Sequence, residues 1–214
     1  MTASDHRGST ATRDAIIYIL LFAAIAWGFQ MVPSAWLERF TAETTSILLN
    51  FLGLTSGYGV VDGDAYLTLA GIRDVSVVIV RECTAIHVWG ILAALVLPVN
   101  GGTWLRKAAS LAVGGLMVFL MNISRISLTV YLTGFDVPPF TWFLTSPTVE
   151  TYHYPISFIY GVIGVATLIL TISRWILPEL GDTLIGIPRG FMRILDRDKE
   201  YASRTSRDER KNVT

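Results

Sequence analysis

Three side chains with catalytic chemistry stand in or beside apolar sequence. Cys83 precedes one apolar run, Arg125 lies inside a second, and His153 precedes a third. A thiolate is a competent nucleophile, a guanidinium is a permanent donor to a developing oxyanion, and an imidazole moves protons near neutral pH. An arginine in hydrocarbon is costly and marks a functional site by default. Together these residue types predict acyl transfer through a thioester.

Each residue also has a purely structural interpretation. A single cysteine in a membrane helix is commonly a small apolar residue. Arg125 is open to pairing with Asp136 or Glu82, and His153 stands where a surface histidine is common. The residue types alone therefore leave a structural arginine and an inert thiol as alternatives.

The identity of the base is also open from the spacing. His87 follows Cys83 by four residues, which places both on one face if they share a helix. It therefore competes with His153. Asn122, three residues before the buried arginine, and Glu82, beside the thiol, are secondary candidates.

The composition indicates a membrane protein. Of 214 residues, 52% are hydrophobic and only 16% are charged, and the mean hydropathy is +0.51. A soluble domain usually carries about 25% charged residues. The formal net charge is zero, so no nucleic-acid partner is expected. One cysteine excludes an intrachain disulfide, and neither Cys nor His spacing indicates a metal or another cofactor.

The apolar runs predict an all-α polytopic membrane protein with about four to five transmembrane helices. Residues 36–54 are predicted as an interfacial amphipathic helix, and whether they cross the membrane is left open. Residues 58–80 are predicted as two or three short strands, a small extracytoplasmic β-hairpin-like segment, because open sheet edges cannot face lipid. The four predicted spans are 15–32, 85–99, 108–132 and 155–177.

The predicted organisation has three parts. Residues 1–14 form a polar cytoplasmic tail, and residues 15–177 form a membrane-embedded catalytic domain that includes the interfacial and β segment at 36–82. Residues 178–214 form a charged cytoplasmic tail with an interfacial helix around 187–200. No internal repeat is present.

The basic residues predict the orientation. With four spans both termini lie on one side, together with the 100–107 connection. Thirteen of the seventeen Lys and Arg fall on this side: Arg7, Arg13, Arg106, Lys107 and the nine from Arg174 onward. By the positive-inside rule this side is the cytoplasm of a multi-pass cell-membrane protein. Cys83, Arg125 and His153 then share the outward leaflet.

Three short motifs resemble the exosortase/archaeosortase family. They are RECTAI (81–86), NISRI (122–126) and YHYPISFIYG (152–161), and the resemblance spans roughly residues 40–172. Members of that family are polytopic membrane proteins that process C-terminal sorting signals of exported proteins. The family pattern has a Cys in an E-C-[ST]-[AG]-[IL] motif, an Arg in an N-x-x-R-[IL] motif, and a later His or Arg. This chain has fewer apparent spans than the larger members.

The resemblance implies a cysteine transpeptidase or protease, with Cys83 as nucleophile, Arg125 as electrostatic stabiliser and His153 as acid/base. It implies exported substrates with a C-terminal motif, a transmembrane helix and a basic end, and a membrane lipid as a possible acyl acceptor. The residues themselves leave hydrolysis and lipid transfer open. The alternatives are a non-enzymatic membrane scaffold and a small transporter, each with a structural buried arginine.

Overall fold

The computed structural model describes residues 3–144, 147–188 and 192. Its main elements, in chain order, are α1 (Ala3–Gln30), α2 (Ala35–Phe51), β1 (Ser56–Val61), β2 (Asp64–Leu69), β3 (Val75–Ile79), α3 (Ile86–Val96), α4 (Trp104–Gly134) and α5 (Val149–Thr171). Short 3-10 turns occur at Arg81–Thr84 and Phe140–Trp142, a π-helical turn occupies Ile172–Ile176, and residues 178–188 are helical.

Three helical segments in the described part of the chain are long and apolar enough to cross a membrane: Arg13–Gln30, Trp104–Gly134 and Val149–Ile176. The protein is thus mostly helical with a small sheet, as predicted, but four to five spans are not confirmed. The predicted span at 85–99 contains only the 11-residue α3, about 16 Å long at 1.5 Å per residue. Pro98 follows its end and disfavours helical continuation.

α3 nevertheless runs antiparallel to both α1 and α4. Tyr18 Oη donates a hydrogen bond to the carbonyl of Leu95 (2.9 Å), and Lys107 Nζ donates to the carbonyl of Leu97 (2.8 Å). A side chain at Gly115 would overlap the Trp89 ring, so this glycine permits close approach of α3 and α4. The interior of these helices, called the bundle core, includes the buried residues Tyr18, Leu92, Val96, Val118 and Leu168.

A second hydrophobic core, called the cap core, lies among α2, the sheet and the end of α4. It includes the buried residues Ala42, Leu49, Leu67, Ile79 and Val130. The three strands are antiparallel in the order β1-β2-β3, which confirms the predicted strands. β1 and β2 meet at Asp62-Gly63, where both residues have positive φ, as a tight two-residue hairpin requires.

α2 is amphipathic in an unusual way. Its buried face carries Thr41, Thr45 and Ser46 beside apolar residues, and Thr45 is satisfied by a 2.7 Å hydrogen bond to the carbonyl of Thr41. The outward face exposes large apolar side chains: Trp36, Phe40, Ile47 and Phe51. This outward apolar face agrees with the predicted interfacial location.

Helix is present near both ends of the described chain. α1 begins at Ala3, so helix covers most of the residues that composition assigned to a polar tail. At the other end the helical segment is 178–188. The interfacial helix predicted around 187–200 and the tail after it fall almost entirely outside the described residues.

Candidate active site

Cys83 lies in the 3-10 turn Arg81–Thr84, directly between β3 and α3. The turn ends at Ala85, whose φ of 56° and ψ of 22° are left-handed and start a new helix direction. Cys83 is therefore not part of α3. The expectation that His87 shares a helix face with the thiol is wrong, because the left-handed residue between them breaks the helical register.

Asn122 of α4 holds the cysteine turn from one side. Its Nδ2 donates a 2.7 Å hydrogen bond to the carbonyl of Cys83, and the Asn122 side chain is buried. The secondary candidate from the sequence thus has a defined contact, which is to the backbone of the nucleophile and not to its sulfur. Asn122 positions the turn against α4.

Arg81 holds the same turn against the end of α1. Its guanidinium donates to the carbonyls of Phe29 (3.0 Å), Gln30 (2.8 Å) and Val32 (2.9 Å). These are carbonyls that a helix end leaves without intrahelical partners. The cation also suits the negative end of the helix dipole. Sequence analysis gave Arg81 no such function, because its partners are 49 to 52 residues away.

Arg125 lies one turn beyond Asn122 on α4. Its Nη1 donates to Ser157 Oγ of α5 at 3.4 Å, whereas Nε and Nη2 are buried and have no hydrogen-bond partner among residues 3–144 and 147–188. Asp136, considered above as its partner, pairs with Arg73 at 2.9 Å instead. Glu82 is exposed and forms no salt bridge within residues 3–144 and 147–188. The side of the guanidinium that can bind two oxygens at once is therefore free.

His153 reaches the same serine. Its Nε2 lies 3.4 Å from Ser157 Oγ, so Ser157 links the imidazole to the Arg125 guanidinium. Ser157 was missed by sequence analysis. The available signal was its position four residues after His153, which places both on one face of a helix. In the described residues neither Arg125 nor His153 forms a hydrogen bond with the thiol, and His87 forms no side-chain hydrogen bond.

The thiol is half-buried and packs against the cap core. Burial raises the pKa of the Cys83 thiol above its usual value, and the nearby positive charge of Arg125 opposes part of that rise. The resting group is therefore a thiol at neutral pH. A backbone hydrogen bond at Val80 and the charge of Arg125 both lower this pKa and so favour the thiolate.

No group of three or more His, Cys, Asp and Glu side chains in the described ranges is arranged to hold a metal ion. What the arrangement supplies is a nucleophilic atom, a cation with two free donors, and an imidazole joined to that cation by a hydroxyl. These are the parts of an acyl-transfer site.

Residues 4–147 match the transmembrane exosortase family (Exosortase_EpsH). The match includes Cys83 and Arg125 and ends before His153 and Ser157. No curated protein and no solved structure shows significant similarity to the chain. Because the family match covers more than half of the 214 residues, and the short motifs around Cys83 and Arg125 fall within it, this chain belongs to the transmembrane exosortase family.

Proposed function

We propose that this protein is a membrane cysteine transpeptidase. It cleaves a C-terminal sorting signal of exported proteins at the outer leaflet of the cell membrane and transfers them to a lipid. The observation that carries the proposal is the free Nε and Nη2 pair of Arg125, buried beside the cysteine turn. Unsatisfied donors of a buried cation are costly unless an anion comes to them, and a tetrahedral oxyanion is such an anion.

In the first half-reaction the Cys83 sulfur forms a bond to the scissile carbonyl carbon, and the thiol proton passes to His153. The carbonyl oxygen becomes an oxyanion that accepts hydrogen bonds from Nε and Nη2 of Arg125. Collapse of this intermediate breaks the carbon–nitrogen bond, and His153 protonates the departing amine. The product is a thioester at Cys83 and a released C-terminal segment.

In the second half-reaction an amine of a lipid headgroup attacks the thioester carbon and loses a proton to His153. The oxyanion forms again at Arg125, and its collapse expels the Cys83 thiolate, which regains a proton from His153. Water in place of the amine gives hydrolysis. A thiol near the membrane surface suits an acceptor that lies in the bilayer.

β3 offers a way to hold the substrate. It pairs with β2 on one edge only, and Ile79 at its end is four residues before Cys83. An extended peptide that adds to the other edge gains main-chain hydrogen bonds whatever its side chains. Its path continues toward the thiol, so strand addition is the proposed means of presenting the sorting motif.

The test follows the C-terminal processing of an exported protein encoded near this chain. The suitable substrate ends in a short motif, an apolar helix and a basic cluster, and its mass is measured after co-expression. Cys83→Ala, Arg125→Ala and His153→Ala are each expected to leave the precursor uncleaved. His87→Ala is the matched control and is expected to process normally, since His87 lies outside the linked residues.

Normal processing by Cys83→Ala would contradict the enzyme proposal and favour a scaffold. Loss of processing in His87→Ala with normal processing in His153→Ala would instead move the acid/base function to His87. A product whose mass equals the free-acid fragment plus a lipid less one water supports transfer, and a product with the mass of the free-acid fragment itself supports hydrolysis.

A further inference from the structure

A cavity of about 100 Å³ lies between α4 and α5, with the start of α3 at its side. Its polar lining comes from Asn122, Arg125, Ser157 and Tyr160, and its other walls are apolar. Met117, at the opposite end, lies eight residues before Arg125 on α4, which corresponds to about 12 Å. The cavity is thus polar at the end near the candidate active site and apolar at the end near Met117.

The polar end of the cavity lies against the turn that carries Cys83. Ala85, two residues after Cys83, is part of its lining. Asn122 both lines the cavity and holds the carbonyl of Cys83. Cys83 and the polar end of the cavity are therefore joined through Asn122.

An occupant must place oxygen at the free donors of Arg125 and an apolar group below them. The residue attacked by Cys83 meets both requirements, because its side chain is attached one carbon away from the carbonyl whose oxygen Arg125 receives. An engineered apolar cavity of roughly 150 Å³ binds benzene. A smaller space of about 100 Å³ suits an aliphatic side chain.

We infer that this cavity is a specificity pocket for the residue whose carbonyl Cys83 attacks, and that it takes a medium-sized aliphatic side chain such as leucine. The inference rests on the proposed function, since it assumes that a peptide carbonyl reacts with Cys83. To that function it adds that the side chain of the attacked residue is recognised by its size and shape.

Gly161 provides a variant that fills the pocket with little risk to folding. It lines the cavity, and a Cβ built on it meets no atom within 4 Å. Gly161→Leu therefore places a side chain in open space. Gly28→Leu in α1 is the matched control, because a Cβ there also meets no atom within 4 Å and Gly28 is not part of the lining. Met121→Ala enlarges the same space.

The probes are acetyl-aminoacyl chloromethyl ketones of glycine, alanine, leucine and phenylalanine, reacted with the purified full chain in detergent. The sulfur displaces chloride, and because the chain has one cysteine, the part of the mass increase that Cys83→Ala lacks reports Cys83 alone. Rates are divided by the glycine rate, which removes differences in folded fraction. The leucine probe is expected to react at least about tenfold faster than the alanine probe, since a few methylene groups in a fitted pocket discriminate by at least that much.

Gly161→Leu is expected to abolish this preference, Gly28→Leu to keep it, and Met121→Ala to raise the phenylalanine rate relative to leucine. Equal rates for alanine and leucine in the unmodified protein, or an unchanged preference in Gly161→Leu, would overturn the inference. If a lipid tail occupies the cavity instead, Gly161→Leu would change the ratio of lipid transfer to hydrolysis of the exported protein. The probe preference would then stay unchanged. This series reports the pocket, whereas processing by Cys83→Ala reports the proposed function, so the two failures are distinguishable.

Discussion

Arg125 is the residue on which the site depends most. Its guanidinium forms one hydrogen bond, to Ser157, and keeps two buried donors without a partner. In a protein interior such donors lower stability, because the water they would contact has been removed. Asp136, the acidic side chain that would have neutralised it in a structural role, is paired with Arg73. The uncompensated guanidinium therefore fits a site that binds an anion.

The first prediction concerns Arg125 and pH. The positive charge of Arg125 lowers the pKa of the Cys83 thiol against the effect of burial. Arg125→Gln is therefore expected to raise that pKa and to shift the alkylation of Cys83 to higher pH. Arg125→Lys keeps the charge and leaves the midpoint nearer its original value. The measurement is the rate of iodoacetamide labelling as a function of pH.

The same pair of variants separates charge from geometry. Loss of an oxyanion donor typically lowers kcat by about 10²–10³-fold, so Arg125→Gln is expected to lose processing by at least that factor. Arg125→Lys lacks the planar guanidinium that binds two oxygens at once, and it is also expected to lose most of the processing activity. Arg39→Gln, at an exposed arginine of α2, serves as the control. A pH profile unchanged in Arg125→Gln would contradict the electrostatic link.

The second prediction concerns Ser157. Its hydroxyl lies 3.4 Å from both Arg125 Nη1 and His153 Nε2. Ser157→Ala is expected to lower processing roughly tenfold, because a hydrogen bond to a charged group contributes about 1.5 kcal/mol or more. Ser157→Thr, which keeps the hydroxyl, is expected to recover much of the activity.

Ser124→Ala is the matched control for Ser157→Ala. The Ser124 hydroxyl donates to the Met121 carbonyl of its own helix at 2.9 Å. If Ser124→Ala and Ser157→Ala had equal effects on processing, the serine link would have no special function.

At the scale of elements, the turn between β3 and α3 sets the direction of the thiol. Left-handed Ala85 separates Cys83 from α3, so the cysteine stands at the end of a strand and not on a helix face. Asn122 ties the turn to α4, and Arg81 ties it to the end of α1. Contacts with two elements, α4 and α1, therefore fix a four-residue segment.

The third prediction concerns Arg81. Its three hydrogen bonds, two to carbonyls at the end of α1 and one to the Val32 carbonyl just beyond it, are expected to contribute about 2 kcal/mol in total, allowing for their partial exposure to solvent. Arg81→Gln should then lower Tm by about 4–8 °C, since 1 kcal/mol corresponds to about 2–4 °C for a chain of this size. Thermal unfolding in detergent measures this.

A second measurement distinguishes positioning from stability alone. At a temperature where Arg81→Gln remains folded, its processing rate is still expected to fall, because the thiol is no longer held relative to Arg125. Arg39→Gln is again the control. A lowered Tm with fully normal processing would show that Arg81 stabilises the fold without positioning the site.

At the scale of the whole molecule, the site lies where the bundle core meets the cap core. Cys83 packs against the cap core, and Ala85, two residues later, is part of the bundle core. Arg73 and Asp136 join the sheet to the end of α4, and the buried Tyr152 donates to the Val137 carbonyl at 2.7 Å. These contacts hold the start of α5, and with it His153, beside the cap.

The fourth prediction concerns orientation, which follows from the distribution of basic residues. Three proteins with one cysteine each are compared in intact cells: the unmodified chain, and Cys83→Ala combined with either Phe143→Cys or Thr214→Cys. Phe143 is highly exposed in the connection before α5. A membrane-impermeant maleimide is expected to label the cysteine at 143 quickly, Cys83 more slowly because it is half-buried, and position 214 only after permeabilisation.

Labelling of position 214 in intact cells, with none at 143, would reverse the proposed topology and place the site on the cytoplasmic side. Labelling of both positions in intact cells would mean that the termini and the active site share the outer face. The unmodified chain supplies the internal reference because it has one cysteine.

Several features were predictable because their signals are local. The hydropathy of residues 108–132 and 155–177 predicted two long helices, and Asp62-Gly63 between β-forming residues predicted a hairpin turn. The motifs around Cys83 and Arg125 predicted the family that the match over residues 4–147 confirms. The functions of Cys83, Arg125 and His153 in the site remain predictions, and the match ends before His153.

Other features were not captured by hydropathy. The short α3 was predicted as a full span because the apolar run continues past its helical end at Val96, whereas Pro98, two residues later, disfavours continuation of the helix. Hydropathy likewise cannot show that α2, besides exposing an apolar face, packs its other face against the cap core.

The sequence by itself determined that this is a membrane protein of the exosortase family with one thiol and one arginine in its apolar core, since residue type and hydropathy are properties of the chain. Only the tertiary structure decided that two donors of Arg125 have no partner among the described residues and that Ser157 joins Arg125 to His153. It also decided that His87 and Cys83 do not share a helix face. The physical reason is that these relations depend on the packing of α4 against α5 and on one left-handed residue, Ala85, and neither leaves a pattern in the sequence.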